Sequence, residues 1–289
     1  MLETTPRPVT SHARPVTPHG RAVTTWALRL VVVGYVFLLI AWPTFLVLER
    51  AFSHGVAAFV NSFSDPAISH ALALTWTITG WAVVINLVFG VATSMLLVRY
   101  DFWGKRIYSV LLDVPLSVSP VVVGLALVLV YNGRNGWFGT WLGEHGIQIL
   151  FSVPGMVMAT VFVALPLVIR EVVPVLNELG DEQEQAARSL GANGFQVFRR
   201  ITLPGIKWAV IYGVVLALAR SIGEFGAVKI VSGNIVGRSQ TATLAVEQTY
   251  ENFQPEQSYA IAALLALIAM VCLLVVALLR NYSLKEENQ

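Results

Sequence analysis

Long apolar runs alternate with short polar connections along most of this chain. Each run approaches or exceeds the roughly twenty residues that a helix needs to cross a bilayer, and only helices satisfy their own backbone hydrogen bonds there. The pattern therefore predicts an all-α polytopic membrane protein with six transmembrane helices. The predicted spans cover residues 30–48, 71–98, 107–131, 149–168, 208–231 and 259–279.

The two ends of the chain differ from the spans in composition. Residues 1–25 are rich in Thr, Pro and His and contain few large apolar residues, so they predict a disordered cytoplasmic tail. The run that follows resembles a secretory signal but is long enough to span, which predicts a retained signal anchor, kinked at Pro43. The predicted transmembrane domain covers residues 26–280, and residues 281–289 are predicted to form a cytoplasmic C-terminal tail.

The Lys and Arg residues of the connections predict the orientation. With the amino terminus inside, fourteen of them lie on the cytoplasmic side, and only Arg50, Arg134 and Arg238 lie on the other. Because positive charge favours the cytoplasmic side, both termini and the long polar segment at residues 181–204 are predicted to be cytoplasmic.

This polar segment predicts two short helices joined at an elbow. Asp181 is expected to cap the first helix, with Glu184 reaching back to its amide, and Gly191 is expected to end it. Asn193 with Gln196 repeats the capping pattern, so a second short helix is expected over residues 194–201, before Pro204 opens the next span.

The spacing within the segment carries a resemblance. Gln185, Ala186 and Ala187 are followed by three residues, then Gly191, then nine residues and the run Ile-Thr-Leu-Pro at 201–204. This resembles the EAA loop of ATP-binding-cassette importer permeases, although Gln185 stands where Glu is usual and Glu184 supplies an acid beside it. The resemblance implies docking to a cytoplasmic ATPase, with small Ala residues allowing close approach and Leu190, Phe195 and Phe198 as protruding side chains. The predicted ATPase-coupling residues are Glu184, Gln185, Ala186, Ala187, Leu190, Gly191, Phe195, Phe198, Leu203 and Pro204. The alternative is an interfacial loop that folds onto its own bundle.

The fifth predicted span contains Arg220, Glu224 and Lys229, and charges at mid-bilayer are costly enough to need an explanation. Arg220 and Glu224 are spaced to pair on one helix face, which is a structural explanation. The functional interpretation is that Gly223 and Gly226 break or bend the helix beside the pair, forming a gate where a tetrahedral dianion meets Arg220.

The third predicted span is interrupted by Pro115 and Pro120, which bracket Ser117 and Ser119. Two prolines free backbone groups in the membrane, and this indicates a second wall of the path, or alternatively a packing kink. Arg170 and Glu171 are interpreted as a solvated pair at the cytoplasmic end of the fourth span, and Asp113 as a charge at a helix end. The predicted residues of the translocation path are Ser117, Ser119, Pro120, Arg220, Gly223, Glu224, Gly226, Ser232 and Asn234.

The outer connections are predicted at residues 51–70, 132–148 and 232–258. Trp137, Phe138 and Trp141 in the second are typical of interfacial anchoring, with contact to an external partner as the alternative. The third connection is expected to hold a short helix near residues 243–251.

Composition supports the membrane class and limits the chemistry. Hydrophobic residues make up 56% of the chain, charged residues 12%, and mean hydropathy is +0.68. A net charge of +2 is too small to suggest nucleic acid, and one cysteine cannot build a disulfide framework or a thiolate metal site. Catalytic and metal-binding residues are therefore not predicted. The sequence contains no GxxxxGK[ST] run, so ATP is expected to be hydrolysed by another chain.

Beyond the elbow, the runs LSVSPVVVG, GEFGAV followed by IVSGN, and LPLVIREVVPVLNELGDEQEQAA extend the resemblance over residues 30–279. The chain resembles the W-type (CysW-type) subunits of sulfate and thiosulfate importers. This implies a type I ABC importer permease fold in a bacterial plasma membrane, a T-type second permease subunit, two copies of an ATPase that bind ATP and Mg, and an extracytoplasmic sulfate-binding protein. Permeases for molybdate, tungstate or phosphate share the elbow pattern and stay open as alternatives. An ATP-independent secondary transporter and a membrane scaffold are disfavoured, because no inverted repeat is visible and a scaffold leaves the intramembrane pair unexplained.

Overall fold

The computed structural model describes residues 18–286, with side chains over residues 25–279, and its regular structure in that range is helical. The chain divides into two compact units, Met1–Val47 and Leu48–Gln289. The α-helices are α1 (Pro18–Val36), α2 (Trp42–Phe52), α3 (Gly55–Asn61), α4 (Pro66–Arg99), α5 (Lys105–Ser117), α6 (Pro120–Tyr131), α7 (Gly139–Glu144), α8 (Val153–Leu179), α9 (Glu182–Ser189), α10 (Gly194–Val197), α11 (Leu203–Ile222), α12 (Gly226–Ser232), α13 (Ala242–Glu251) and α14 (Pro255–Glu286).

Six predicted spans correspond to five long apolar helices and one bent pair. The long helices are Thr25–Phe52, Pro66–Arg99, Val153–Leu179, Gly194–Ile222 and Pro255–Leu279, and the bent pair is α5 with α6. The all-α polytopic architecture predicted from the apolar runs is confirmed.

The first unit contains α1 and a π-helical turn, Phe37–Ala41, that leads into α2. The tail was predicted to reach residue 25, but helix α1 already begins at Pro18. Proline is well suited to the first turn of a helix. The next proline, which could interrupt the helix, is Pro43. Residues 1–17 of the predicted tail lie outside the described residues. The π turn lies shortly before Pro43. Its hydrogen bond runs from the amide of Trp42 to the carbonyl of Phe37, five residues back.

In the second unit, α4, α8 and α11 pack closely through glycine. A Cβ atom added to Gly90 of α4 would lie 2.7 Å from Cγ1 of Val168. A Cβ atom added to Gly213 of α11 would lie 2.9 Å from the Cα atom of the same Val168. Val168 of α8 is thus held between two glycines at the same level. Small residues allow helix backbones to approach this closely in membranes, where packing replaces the hydrophobic effect.

Helix α8 extends further at its C-terminal end than the predicted span at 149–168. It begins at Val153 and continues to Leu179, because Val172 and Leu176 are fully buried in the apolar core. Arg170 and Glu171, which were interpreted as a solvated pair at the end of the fourth span, therefore lie inside α8.

The third predicted span, 107–131, is not one helix: α5 and α6 meet at an angle of 111°. Val118 and Ser119 between them have extended backbones. Proline disfavours a helical conformation in the residue before it, so Pro120 ends α5 and starts α6 as its first residue. Asp113 belongs to the middle of α5, which corrects its interpretation as a helix-end charge.

The fifth span is continuous with the elbow. Helix α10 passes through a π-helical turn, Phe198–Thr202, directly into α11, so Pro204 does not open a separate segment as predicted. In the wide turn the amide of Leu203 bonds to the carbonyl of Phe198, which relieves the clash that a proline makes in a regular helix.

The last outer connection folds back onto the bundle. Helix α13 forms where a short helix was predicted, and the amide of Ala242 at its start donates to Thr75 Oγ1 of α4 at 2.8 Å. Helix α14 then continues to Glu286, so residues 281–286 of the predicted tail are helical, while residues 287–289 lie outside the described range.

Candidate functional site

The elbow is a tight, hydrogen-bonded turn. Gly191 has a φ of +88°, which glycine adopts without strain, and its amide donates to Arg188, while the amide of Ala192 donates to Ala187. This pair of bonds is the Schellman arrangement that ends helices. Asn193 and Gln196 then form a reciprocal capping box for α10. The predicted end of the first helix at Gly191 and the predicted second cap are confirmed.

The first predicted cap is wrong. The Asp181 side chain makes no capping bond to the backbone of α9. Its carboxylate instead accepts a 2.6 Å hydrogen bond from the side-chain amide of Gln185. Glu184 does not reach back to Asp181, because its side chain points into the protein, where it meets charged and hydroxyl donors.

We name the three residues Arg99, Glu184 and Thr202 the elbow clamp. Glu184 is 4% exposed, and its Oε1 atom accepts hydrogen bonds from Arg99 Nε at 3.2 Å, Arg99 Nη2 at 3.1 Å and Thr202 Oγ1 at 2.8 Å. A buried carboxylate is tolerated only when it is paired in this way. The clamp joins the end of α4 to α9 and to the π turn before α11.

Arg99 also holds the end of α8. Its guanidinium donates to the carbonyl of Leu176 at 3.2 Å and to that of Gly180 at 2.6 Å. The last carbonyls of a helix have no partners within it, so a cation at this position satisfies them and favours the helix dipole. The sequence analysis missed Arg99 and Thr202; the available signals were a charge directly after an apolar span and the hydroxyl inside the Ile-Thr-Leu-Pro run.

Beside the clamp, Lys105 bonds to Asp101 in the short connection between α4 and α5. This hydrogen bond, followed by the attraction between the charges, lowers the pKa of the exposed Asp101 carboxyl below its usual value.

The outward side of the elbow carries apolar side chains. Leu190 is 90% exposed and Phe195 is 70% exposed. Next to Leu190 is a groove of about 310 Å³, which is lined by Ala187, Leu190, Gly191, Ala192, Gln196, Val197, Arg200 and Ile201. Of the other predicted coupling residues, Gln185, Ala186, Leu203 and Pro204 are exposed. Phe198 differs, because it is half-buried and packs against the core of the bundle.

The break in the fifth span is built around Glu224. Arg220 Nη1 lies 3.0 Å from Glu224 Oε2, so the pair expected from their spacing is present. The pair bridges the end of α11 and the break, since the helix stops at Ile222 and α12 begins at Gly226. Glu224 Oε1 also accepts from the amide of Ala227, and Thr243 Oγ1 donates to the Glu224 carbonyl, so one buried residue organises three helix ends.

The break in the third span lies against the break in the fifth. A Cβ atom on Gly226 would lie 3.1 Å from Cβ of Pro120, and one on Gly124 would lie 2.8 Å from Cβ of Ile230. Gly226 and Pro120 are the first residues of α12 and α6, so two half-helices begin side by side. Ser117 and Ser119, next to this junction, and Gly223 are exposed.

Ser232 and Asn234 make bonds within the turn that follows α12. Ser232 Oγ accepts from the amide of Asn234, and the Ser232 carbonyl accepts from Ser239 Oγ at 2.6 Å. Asn234 Oδ1 accepts from Gln240 Nε2. The part of the chain with described side chains contains no cluster of three or more His, Cys, Asp or Glu that could hold a metal ion.

Comparisons with known proteins place this geometry among transporters. Residues 86–285 match the model of the family "Binding-protein-dependent transport system inner membrane component". The chain is 48% identical over 247 residues to a sulfate transport system permease protein CysW of Synechocystis, covering 86% of this chain and 89% of that protein. It is 46% identical over 238 residues to CysW of Escherichia coli K12, covering 82% and 81%.

A second type of permease and two solved structures are also similar. The chain is 32% identical over 258 residues to CysT of Synechocystis, another sulfate transport system permease protein, covering 89% of this chain and 90% of that one. A bacterial ABC transporter that imports alginate superposes with a TM-score of 0.73 at 16% identity, covering 92% of this chain and 96% of that chain. The same kind of transporter with an alginate-bound periplasmic protein gives 0.69 at 18% identity, covering 91% and 94%. The likeness confirms the predicted importer permease fold.

Removing the carboxylate of the clamp should loosen the elbow. In Glu184→Ala the guanidinium of Arg99 keeps its carbonyl partners but loses its counter-charge, a loss that costs on the order of 3 kcal/mol for a buried pair. We expect amide hydrogen exchange over residues 182–202 to become at least tenfold faster. Glu182→Ala, an exposed acid on the same helix, is the matched control and should exchange like the unaltered protein. Equal exchange in both variants would contradict the structural role of the clamp.

Proposed function

The chain belongs to the binding-protein-dependent transport system inner membrane components, and on this basis we propose that it is a permease subunit of an ATP-driven sulfate and thiosulfate importer. It forms the anion path with a second permease subunit and couples this path to cytoplasmic ATPase subunits. The observation that carries the proposal is the elbow. The residues with the complete motif spacing form an exposed apolar surface, and the elbow clamp binds the inward side of the same segment to the bundle.

Coupling uses the two faces of the elbow. The outward face, with Leu190 and Phe195, is the surface for an ATPase, because large exposed apolar side chains beside a groove are typical of partner sites. The inward face contains the buried Glu184, which binds Arg99 of α4. A push on the elbow therefore moves the ends of α4 and α8 together, and it also moves α11, which continues from the elbow without interruption.

The chain takes no part in hydrolysis. It is a non-catalytic subunit, and two copies of the partner ATPase bind ATP and Mg, in agreement with the lack of a GxxxxGK[ST] run in the sequence. Both termini and the elbow are cytoplasmic, as the distribution of Lys and Arg favours.

The translocation path passes the paired breaks. The side chain of Arg220 is 40% exposed, whereas that of Glu224 is buried. One side of the guanidinium is therefore available to an anion, while the other side is held by its counter-ion Glu224. A cation that is already partly neutralised binds an anion weakly enough to release it, as transport requires. Movement of α11 would shift the end of this helix against α12 and open or close the passage.

The partners follow from the family and from the relatives. A T-type subunit is the second permease, in line with the similarity of this chain to CysT as well as CysW. An extracytoplasmic sulfate-binding protein delivers the anion, as a periplasmic protein is present with the alginate transporter. Sulfate is favoured over molybdate, tungstate and phosphate because relatives at 46–48% identity are sulfate permeases.

The docking role of the elbow predicts a sharp effect at Leu190. In Leu190→Asp a charge replaces an exposed apolar side chain, so the fold should be unaffected while the ATPase no longer binds. We expect unchanged membrane levels, loss of ATPase co-purification and loss of uptake. Leu190→Met keeps an apolar side chain of similar volume and should behave like the unaltered protein. Full uptake by Leu190→Asp would rule out docking through this residue.

The substrate is tested by uptake of radiolabelled sulfate in a strain that lacks this chain. Restoring the chain should restore ATP-dependent uptake, and unlabelled thiosulfate should compete strongly while molybdate competes weakly. Uptake that is blocked by molybdate at lower concentrations than thiosulfate would instead assign the chain to another oxyanion.

A further inference from the structure

Arg170 lies deeper in the membrane than its position in the sequence suggests. Helix α4 is apolar up to Val98, and the next residue, Arg99, bonds to the carbonyl of Leu176, which marks the cytoplasmic boundary on α8. Arg170 precedes Leu176 by six residues on the same helix, and this places it about 9 Å inside that boundary.

The side chain of Arg170 is nevertheless 59% exposed in this chain. A charged group at this depth is expensive against lipid, so such residues face the interior of an assembly or a water-filled cavity. Its polar surroundings agree with a cavity: the guanidinium is paired with Asp113, which is itself 56% exposed.

The pair leaves part of the guanidinium available. Arg170 Nη2 and Nε donate to the same oxygen of Asp113, at 3.0 Å and 3.4 Å, so the recorded bonds use one edge of the group. Asp113 lies on α5, which is separated from α6 by the 111° bend at Val118 and Ser119. The carboxylate thus belongs to a different helix from the arginine, so their pairing depends on the position of α5 against α8.

Arg170 and Arg220 occupy successive levels of the bundle. Val168 of α8 and Gly213 of α11 lie at one level because they are in contact. Arg170 is two residues further in and Arg220 is seven residues further out, so their Cα atoms are separated by about 14 Å along the bundle. Each is a half-exposed arginine with one carboxylate as its counter-ion.

We propose that Arg170 is a second anion-binding residue, on the cytoplasmic side of the path, and that Asp113 is the counter-ion which a sulfate-like dianion displaces on its way out. This proposal rests on the proposed function, since it requires an anion to pass. When the anion binds Arg170, its oxygens replace the Asp113 carboxylate as acceptors of the guanidinium. When Asp113 returns to Arg170, it displaces the anion toward the cytoplasm. The carboxylate therefore prevents the inner site from retaining the substrate.

The experiment uses the complete transporter, with ATPase and binding protein, in proteoliposomes that enclose ATP. The Asp113→Asn, Arg170→Gln double variant removes both charges, with an isosteric side chain at 113 and an uncharged polar side chain at 170. We expect it to assemble and to hydrolyse ATP within about twofold of the unaltered complex, because the charges removed are solvated rather than buried. Uptake of radiolabelled sulfate should fall roughly tenfold or more, which corresponds to the loss of a hydrogen bond to a charged group. Unimpaired uptake by this variant, or failure to assemble, would assign the pair to structure and overturn the proposal.

Asp113→Asn alone gives an independent readout. It leaves Arg170 without its competing carboxylate, so sulfate enclosed in the vesicle lumen, the cytoplasmic side, should inhibit uptake at roughly tenfold lower concentration. An unchanged inhibition curve would contradict the counter-ion role. If the unaltered complex moves no sulfate, the proposed function fails; if it moves sulfate and both variants match it, only the role of Arg170 fails.

Discussion

A buried carboxylate fixes the end of the bundle that carries the elbow. Glu184 lies on a polar elbow. Its charge is tolerated inside the protein because Arg99 and Thr202 bond to one carboxylate oxygen and Arg188 lies 4.0 Å from the other. Arg99 in turn bonds to the last carbonyls of α8. The elbow consequently cannot move without moving two transmembrane helices, unless it leaves a charge unpaired. This constraint makes a surface loop suitable for receiving force from another subunit.

In the proposed mechanism, the bundle beyond the clamp transmits that movement. Val168 between Gly90 and Gly213 keeps three helices in close contact, which is the packing that such transmission requires. The chain becomes discontinuous only further out, where the breaks of the third and fifth spans meet at Pro120 and Gly226. Arg220 with Glu224 lies at these breaks, whereas Arg170 with Asp113 lies on the elbow side of Val168. Rigid coupling and local freedom thus occupy different levels of one structure.

The sequence predicted those features that depend on local patterns. Apolar run length predicted the spans, and the spacing of Asn193 and Gln196 predicted a capping box that the structure contains. Gly191 was predicted to end a helix, and it does so with a positive φ. Features set by distant contacts were missed: Glu184 was assigned to Asp181, three residues away, because its true partner Arg99 is remote in sequence. Helix α8 extends past its predicted end for the same reason, since burial of Val172 and Leu176 depends on neighbouring helices.

The central claim is that the clamp carries movement of the elbow to the outer break. It is tested most directly by spin labels at two exposed positions, Gln183 on α9 and Val236 after α12, in a chain whose single cysteine, Cys272, has been replaced by serine. The distance between the labels is measured by pulsed electron resonance in the complete transporter, with and without ATP. The account predicts that ATP shifts the distance distribution in the unaltered clamp, and that Glu184→Ala abolishes the shift while the ATPase remains bound. An equal shift in both proteins would show that the outer break moves without the clamp and would contradict the account.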